Sequence, residues 1–322
     1  MEEVLKNLSN FSNTTTNQGL LNPGFAAFLI VLAIAQVTAI IFNGLIAIVL
    51  LRSTSVAVTV RVPLINLLVV IIFGAGNFLL GAFNTVVPVL SDSTEPPLPL
   101  CRFILWVYQV TGLAQLLGLV VFSLMVFQTV TGTCDTRKFT AMILSLAAAW
   151  VIALLMCVHV LAPPIYGVQY AEGIVCLPTV GYAKLEIVQF VVFMSWIVFA
   201  SCGFVSILAS ICVVLGALCY LKRHTISERA QYKKAIVKLA AFLVTGNVLI
   251  VTGQIVLFAV NLWVIFESID GVYLSYILQI LSFTPTPIII VVFLKPVQRG
   301  LHRLFCCKHL KGSGTIPMQQ EE

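Results

Sequence analysis

Seven long apolar stretches run along the chain, and its charged residues lie between these stretches or at their edges. Each stretch holds at least the ~20 apolar residues that a helix needs to cross the hydrocarbon core of a bilayer. Helices are required because lipid offers backbone amides and carbonyls no hydrogen-bond partner. The pattern predicts an all-α membrane protein, a seven-transmembrane helix bundle with spans at residues 25–51, 62–90, 103–133, 139–161, 185–221, 235–265 and 272–294.

Composition agrees with a membrane protein and leaves little chain for other domains. Hydrophobic residues make up 60% of the 322 residues, charged residues only 9%, and the mean hydropathy is +1.07. Such values exclude an ordinary soluble domain. We therefore expect one transmembrane domain at 25–294, preceded by an N-terminal segment at 1–24 and followed by a tail at 295–322.

The distribution of positive charge predicts which side of the membrane each loop faces. With the N-terminus outside, every Lys and Arg falls on the cytoplasmic side except Lys6, Arg102 and Lys184. Cytoplasmic loops of membrane proteins carry such an excess of Lys and Arg. We therefore expect an extracellular N-terminus and a cytoplasmic C-terminus. The net charge of +6 is a topogenic signal and does not indicate nucleic-acid binding.

The N-terminal segment is predicted to be glycosylated. It lacks the basic region and short apolar run of a cleaved signal peptide. Three N-x-[ST] sequons, at Asn7, Asn10 and Asn13, fall on the predicted outer side. This arrangement predicts a multi-pass glycoprotein of the plasma membrane.

The cysteines sort by compartment. Cys101 and Cys176 are the two that are predicted to face the oxidising outer side, so a disulfide between them is the natural pairing, with two free thiols as the alternative. Cys306 and Cys307 follow the last span on the inner side, at the end of a basic amphipathic segment, and are palmitoylation candidates. No Cys/His spacing suggests a metal site, and we expect no cofactor.

The segment from Thr286 to Cys307 resembles the end of a rhodopsin-like G-protein-coupled receptor. It aligns with the family's pattern of NPxxY, a short basic amphipathic helix and palmitoylated cysteines. Pro287 matches the motif proline, whereas Thr286 replaces its Asn and Ile290 its Tyr. The resemblance implies a short amphipathic eighth helix in the membrane interface. Its apolar face would consist of Val297, Leu301, Leu304 and Phe305, with Arg299 and Arg303 toward the lipid headgroups.

Other landmarks fit the same family. Asn43-Gly44 in the first span resembles the family's Gly-Asn pair in reversed order, and Trp150 lies where the fourth helix usually carries a tryptophan. Cys101 and Cys176 match the family's disulfide. The resemblance implies that the partners are a heterotrimeric G protein and a small molecule.

Three of the family's polar motifs are missing. No Asp-Arg-Tyr closes the third span, where counting from Cys101 places Met125-Val126-Phe127. The second span carries Ile71 or Ile72 in place of the membrane Asp, and the sixth has no Trp-x-Pro. Such erosion, together with the reversed Asn-Gly pair, resembles the divergent odorant-receptor-like, chemosensory branch.

The ligand pocket of this fold opens to the outer half of helices three, five, six and seven, as an apolar concavity with a few polar groups. The polar and aromatic candidates in this chain are Tyr108, Gln109, Thr111, Gln115, Gln189, Gln254, Phe258, Asn261, Tyr276 and Gln279. Tyr108 lies where amine receptors carry an Asp, so a buried cationic amine is disfavoured. No Lys lies in the seventh span, which excludes a retinal Schiff base. The set favours a small neutral or weakly polar ligand, although each residue could instead bond helix to helix.

Basic residues gather at the predicted inner ends of the helices, where this family meets its G protein. The candidates are Gln128, Arg137, Lys138, Lys222, Arg223, Lys233 and Lys234. Basic side chains suit an acidic partner helix, but anchoring to anionic lipid explains them equally well.

Two other protein classes stay open beside a signalling receptor. A non-signalling seven-helix scaffold or decoy would tolerate the loss of the polar motifs. A transporter fits less well, because no charged residue lies at mid-membrane and seven spans resist a two-fold duplication. We do not expect an enzyme, since the spans contain no cluster of His, Asp and Glu and no nucleophile with a partner base.

Overall fold

The structure is a computed structural model that describes residues 23–54, 56, 58–91, 98–130, 136–161, 167–171, 175–179, 185–223, 241, 245, 248, 277 and 285–305. Five long helices follow one another in the first two thirds of the chain. They are α1 (Pro23–Arg52), α2 (Val58–Ser91), α3 (Leu98–Val130), α4 (Thr136–Cys157) and α5 (Leu185–Arg223). A 3₁₀ turn, Val158–Leu161, continues α4.

Four of these helices are long and apolar enough to cross a membrane. The candidate spans are Ala27–Arg52, Val58–Asn84, Leu98–Val126 and Phe139–Leu161. They coincide with the first four predicted spans, and α5 contains the fifth. The sixth predicted span, 235–265, lies outside the described residues apart from single helical positions, as does most of the seventh. Because the rise is about 1.5 Å per residue, a helix as long as α5 exceeds the thickness of a bilayer core.

The described part of the chain ends in two short helices. These are α6 (Pro285–Phe293), the end of the seventh predicted span, and α7 (Lys295–Phe305). Leu294 separates them, and its carbonyl accepts hydrogen bonds from the amides of Val297 and Gln298 at 2.9 and 3.1 Å. The Gln298 side chain donates to the Val292 carbonyl at 3.2 Å. These bonds satisfy carbonyls that the end of α6 would otherwise leave without partners.

Helix α3 lies at the centre of the described bundle. It contacts α2, α4, α5 and both strands of the hairpin described below. In the 18-residue apolar segment that qualifies α3 as a span, 78% of the residues are buried. In the corresponding segment of α1, only 22% of the residues are buried. The outward faces of the other helices carry exposed apolar side chains such as Ile41, Leu144 and Phe204. A bundle that turns apolar side chains outward is suited to lipid, where such exposure costs nothing.

The segment after α4 forms a β-hairpin, which the sequence analysis did not predict. Strands β1 (Gly167–Ala171) and β2 (Val175–Thr179) pair antiparallel, with Gly167 opposite Thr179 and Ala171 opposite Val175. Both strands contact α3. Backbone pairing between the two strands satisfies polar groups of the segment between α4 and α5.

Candidate ligand-binding site

Three of the predicted ligand residues share one face of α3. Tyr108, Thr111 and Gln115 are spaced by three and four residues, so they line the same side of the helix. Thr111 and Gln115 are buried, at 2% and 0% exposure, whereas Tyr108 and its neighbour Gln109 are half-buried. Of these four side chains, Tyr108 and Gln109 are therefore the two that are partly accessible among the described residues.

The polar face of α3 lies along α2. At the outer end of this seam, Asn77 Nδ2 of α2 donates to the Ile104 carbonyl of α3 at 2.9 Å. Further in, Gly118 lies so close to α2 that an added Cβ would stand 3.1 Å from Asn66 Nδ2 and 3.3 Å from Leu67 Cδ2. Since α2 and α3 run antiparallel, Thr111 and Gln115 lie between these two contacts.

The position of Thr111 and Gln115 favours helix–helix packing over ligand contact. The Thr111 hydroxyl donates within its own helix, to the carbonyls of Val107 at 2.8 Å and Tyr108 at 3.0 Å. Its proton is thus already used, as is common for Thr in membrane helices. Tyr108 and Gln109 lie nearer the beginning of α3, and their contact with a ligand stays a prediction.

The opposite face of α3 is apolar and joins three other helices. Val110, Leu113 and Ala114 form a buried cluster with Val70 of α2 and with Ala153 and Cys157 of α4. Half-buried side chains of α5, Val198 and Cys202, pack against it. The apolar face of α3 thus packs against α4 and α5, with Val70 of α2 completing the cluster.

The other predicted ligand residues cannot be placed around this face. Gln189 belongs to α5, but its side chain is not among those described. The candidates of the sixth and seventh spans, namely Gln254, Phe258, Asn261, Tyr276 and Gln279, lie outside the described residues.

Two polar residues that the sequence analysis did not select, Asn66 and Asn77, join neighbouring helices. Trp150 Nε1 of α4 donates to Asn66 Oδ1 of α2 at 2.9 Å, and Phe73 of α2 meets the Trp150 ring edge-on with centroids 6.3 Å apart. Gly118 of α3 adjoins the same Asn66 side chain. A polar side chain inside an apolar span is the signal that could have found Asn66 and Asn77.

Other buried polar atoms lack a protein partner. Gln36 of α1 is fully buried, and neither of its amide atoms has a hydrogen-bond partner within the described structure. Asn43 of α1 donates to the Ala39 carbonyl at 2.7 Å, but its Oδ1 accepts no bond there. The Thr286 hydroxyl of α6 is buried in the same way.

An apolar core fills the inner half of the bundle where the family's polar motifs would lie. Val126 and Ile290 are fully buried in it, together with Leu64, Phe122 and Val213. Of the two candidates for the position of the membrane Asp, Ile71 is fully buried and Ile72 is half-buried. The inner ends of α2, α3, α5 and α6 are therefore held together by apolar contacts.

The predicted G-protein-facing residues fall at helix ends, as far as they are described. Gln128 is half-buried near the end of α3. Arg137 and Lys138 lie in the first turn of α4, and Lys222 and Arg223 end α5, without described side chains. Lys233 and Lys234 lie outside the described residues.

The cysteines whose side chains are described comprise one disulfide-bonded residue and four free thiols. Cys101 of α3 is buried and disulfide-bonded. Strand β2 contains Cys176 and contacts α3, but the pairing of these two cysteines stays a prediction. Cys157, Cys202, Cys212 and Cys219 are free thiols. Asn7, Asn10, Asn13, Cys306 and Cys307 lie outside the described residues.

No group of three or more His, Cys, Asp or Glu side chains that could hold a metal ion occurs among residues 23–305 where the structure describes them. The described site is thus an apolar bundle with a small number of amide and hydroxyl groups. Such a site can bind by shape and hydrogen bonds, but it offers no side-chain carboxylate on α3 for a cationic ligand.

No family model matches the sequence, and no curated protein matches it. The structure is similar to the crystal structure of squid rhodopsin, with a TM-score of 0.69 and 13% sequence identity. The match covers 88% of this chain and 87% of the rhodopsin chain. At this identity the likeness shows a common fold. The chain therefore has the multi-pass membrane fold of a rhodopsin-like G-protein-coupled receptor.

Proposed function

We propose that the protein is a seven-helix receptor of the plasma membrane, with its N-terminus outside, that binds a small ligand and signals through a heterotrimeric G protein. The likeness to squid rhodopsin over most of both chains carries this proposal. The strong excess of Lys and Arg at the ends assigned to the cytoplasm supports the orientation.

The ligand is a small neutral or weakly polar molecule that enters from the outer side. Tyr108 and Gln109 support this choice, because they are half-buried on α3 and carry a phenol and an amide but no charge. No Asp or Glu occurs anywhere in α3. An amine ligand would therefore lose its hydration on this helix without gaining a partner charge. Neutral volatile or weakly polar organic molecules fit best, as in chemosensory receptors.

A non-signalling scaffold is the second candidate, and one observation favours it. Val126 and Ile290 stand where the family's arginine and tyrosine motifs would be, and both are fully buried in the inner apolar core. A receptor that opens its inner end must separate this core at a cost of ~25 cal/mol per Å² of apolar surface exposed to water. A decoy would never incur that cost.

The deciding experiment measures cAMP and calcium in cells that display the chain at their surface. A panel of odorants, amino acids and lipids is applied to cells with and without their G proteins. A ligand-dependent response that disappears without G proteins supports the receptor. Silence across the panel at confirmed surface expression, together with unchanged basal signalling, supports the scaffold.

An active ligand allows a test of the site itself. Tyr108→Phe should raise the half-maximal concentration roughly fivefold to tenfold, because one hydrogen bond contributes about 1 kcal/mol. Thr38→Val is the matched control, since its hydroxyl is exposed on α1 and bonds to the Ile34 carbonyl at 2.9 Å. If Tyr108→Phe and Thr38→Val had the same half-maximal ligand concentration, the ligand would not contact Tyr108.

A further inference from the structure

One amide side chain of α1 lies inside the bundle without a partner among the described residues. Gln36 is 0% exposed, and neither its Oε1 nor its Nε2 has a hydrogen-bond partner there. Leu29 and Asn43, seven residues before and after it, lie on the same face of the helix and are 0% exposed as well. The flanking Ala35 and Val37 are exposed. Gln36 therefore points into the bundle and away from the lipid.

Other polar side chains of α1 bond to the nearest backbone, whereas Gln36 does not. Thr38 donates to the Ile34 carbonyl at 2.9 Å, and Asn43 donates to the Ala39 carbonyl at 2.7 Å. Such bonds within a helix are a common way to satisfy a polar side chain in an apolar span. A buried amide that lacks hydrogen bonds costs free energy. A bound molecule that supplied these bonds would therefore be favoured at Gln36.

Gln36 lies at the depth of the proposed ligand contact on α3. It follows Ala27, where the apolar span of α1 begins, by nine residues, and Tyr108 follows Leu98, where the span of α3 begins, by ten residues. At about 1.5 Å per residue, both lie roughly 15 Å from the outer ends of their spans.

Helix α2 connects these two levels. It contacts both α1 and α3. Its Asn77 is 7% exposed, and the Oδ1 atom of this side chain has no partner among the described residues. Polar groups thus occur on three successive helices in the half of the bundle that the proposed topology places outside.

Charge and hydrogen-bonding capacity select the molecule that fits Gln36. Helices α1, α2 and α3 contain no Asp or Glu, so a cation would have no counter-charge. A Gln amide presents an acceptor and a donor on adjacent atoms, and a carboxamide offers the complementary pair. A ketone, an ester or an ether offers acceptors alone and would leave Oε1 unpaired. A carboxylic acid matches only when protonated, which is not its form at neutral pH.

We infer that Gln36 is a second contact of the ligand and that the group it binds is a neutral carboxamide. The inference rests on the proposed ligand-binding function, but it does not require coupling to a G protein. It adds α1 to the helices three, five, six and seven, between which the sequence predicts the pocket.

A first experiment tests whether the amide is free in the empty protein. Gln36→Leu removes the polar atoms at similar volume, so it should leave the melting temperature of the purified full-length chain in detergent unchanged or raise it. Asn66→Leu is the matched control, because it removes an amide that accepts a hydrogen bond from Trp150 Nε1 at 2.9 Å, and it should lower the melting temperature. An equal fall in both variants would overturn the inference, since Gln36 would then bond helix to helix.

A second experiment compares ligands of the same shape by their effect on the melting temperature. Hexanamide carries an amino group where methyl pentyl ketone carries a methyl group, and octanamide and methyl heptyl ketone form a longer pair. The wild type should bind each amide roughly fivefold to tenfold more tightly than its ketone, because the amide adds a hydrogen bond to Oε1. Gln36→Leu should bind amide and ketone equally. Thr38→Val, which alters an exposed hydroxyl of the same helix, should keep the preference.

The outcomes separate this inference from the proposed function. Equal binding of amide and ketone by the wild type, no binding of the amides, or an undiminished preference in Gln36→Leu would overturn the carboxamide site. If another compound then activates the chain in the cAMP and calcium assay, the receptor stands without this site. Amide binding that depends on Gln36 but causes no cAMP or calcium response would support the site and favour the scaffold.

Discussion

At the scale of the residue, a few polar side chains join the helices of an otherwise apolar bundle. Asn66, Asn77 and Trp150 make their hydrogen bonds across helices, whereas Thr111 bonds within α3. In lipid a polar atom without a partner cannot turn to water, so these contacts select one arrangement of the helices. Their individual contributions are nevertheless small, about 0.6 kcal/mol on average.

The Asn66–Trp150 hydrogen bond leads to a prediction for a double-mutant cycle. Asn66→Leu and Trp150→Phe should each lower the free energy of unfolding in detergent, and the double variant should lose less than their sum. We expect a coupling energy of roughly 0.6–1.7 kcal/mol, from denaturant titration of the four proteins. Strict additivity would mean that the bond contributes nothing to stability.

Gly118 should not tolerate a methyl group. Gly118→Ala places Cβ 3.1 Å from Asn66 Nδ2 and 3.3 Å from Leu67 Cδ2, so both side chains must shift by a few tenths of an ångström and strain the Asn66–Trp150 contact. We expect a loss of about 1–3 kcal/mol in the free energy of unfolding.

Two other glycines are matched controls for this substitution. Gly44 and Gly76 have no neighbouring heavy atom within 4 Å of an added Cβ. Gly44→Ala and Gly76→Ala should therefore stabilise the protein by up to about 1 kcal/mol through helix propensity. The explanation by close approach fails if all three variants behave alike.

At the scale of the element, α7 depends on its neighbours for its position. Eleven residues form too short a helix to be stable alone in water. Val297 and Leu301 anchor it in the inner core, and Gln298 bonds it to α6. Its position against α1 follows from Gly300.

The contact of Gly300 with Val49 predicts a rescue. Gly300→Ala should detach α7 from α1 and lower the thermal stability of the protein in detergent. Adding Val49→Ala removes the methyl group that an alanine Cβ would overlap, and the double variant should recover part of the loss. An alanine at position 300 that costs nothing alone would contradict the close approach.

Acylation is expected just beyond α7. Replacing both Cys306 and Cys307 with Ser should abolish labelling by a clickable palmitate analogue, because a basic amphipathic helix delivers these thiols to the membrane surface. Cys219→Ser is the control, since this thiol is exposed on α5 within the described structure. Undiminished labelling of the double variant would show that another cysteine is acylated.

At the scale of the whole molecule, the fold is that of rhodopsin while the polar motifs of its family are absent. The two facts are compatible because the shape of a membrane bundle depends on close packing along many helices, to which single polar side chains add little. The inner core of Val126, Ile290 and Val213 supplies such packing at the positions that those motifs would occupy.

The outer surface provides a prediction about the whole molecule. Cys101→Ser and Cys176→Ser should reduce delivery to the cell surface equally, and the double variant should be no worse, because one bond joins the two residues. Surface biotinylation measures the effect, with Cys157→Ser as a control for a buried free thiol. Additive losses would show that Cys101 has a different partner.

The apolar pattern alone determined the first five helices, because a backbone in lipid must bond to itself and a long apolar stretch can do so only as a helix. The family resemblance implied an amphipathic helix at α7, and the spacing of its apolar residues defined the faces. The hairpin of β1 and β2 was missed, because a segment between spans can bond to water and therefore carries no comparable constraint.

Tertiary structure alone decided what each polar residue in the spans does. Thr111, Gln115 and Tyr108 were predicted to contact either a ligand or a neighbouring helix. Thr111 and Gln115 are buried beside α2, whereas Tyr108 is half-buried. Asn66, Gly118 and Gly300 acquire their roles only from the neighbour that each one meets. Helical spacing determines the face on which a residue lies, whereas the element opposite that face depends on how all the helices pack.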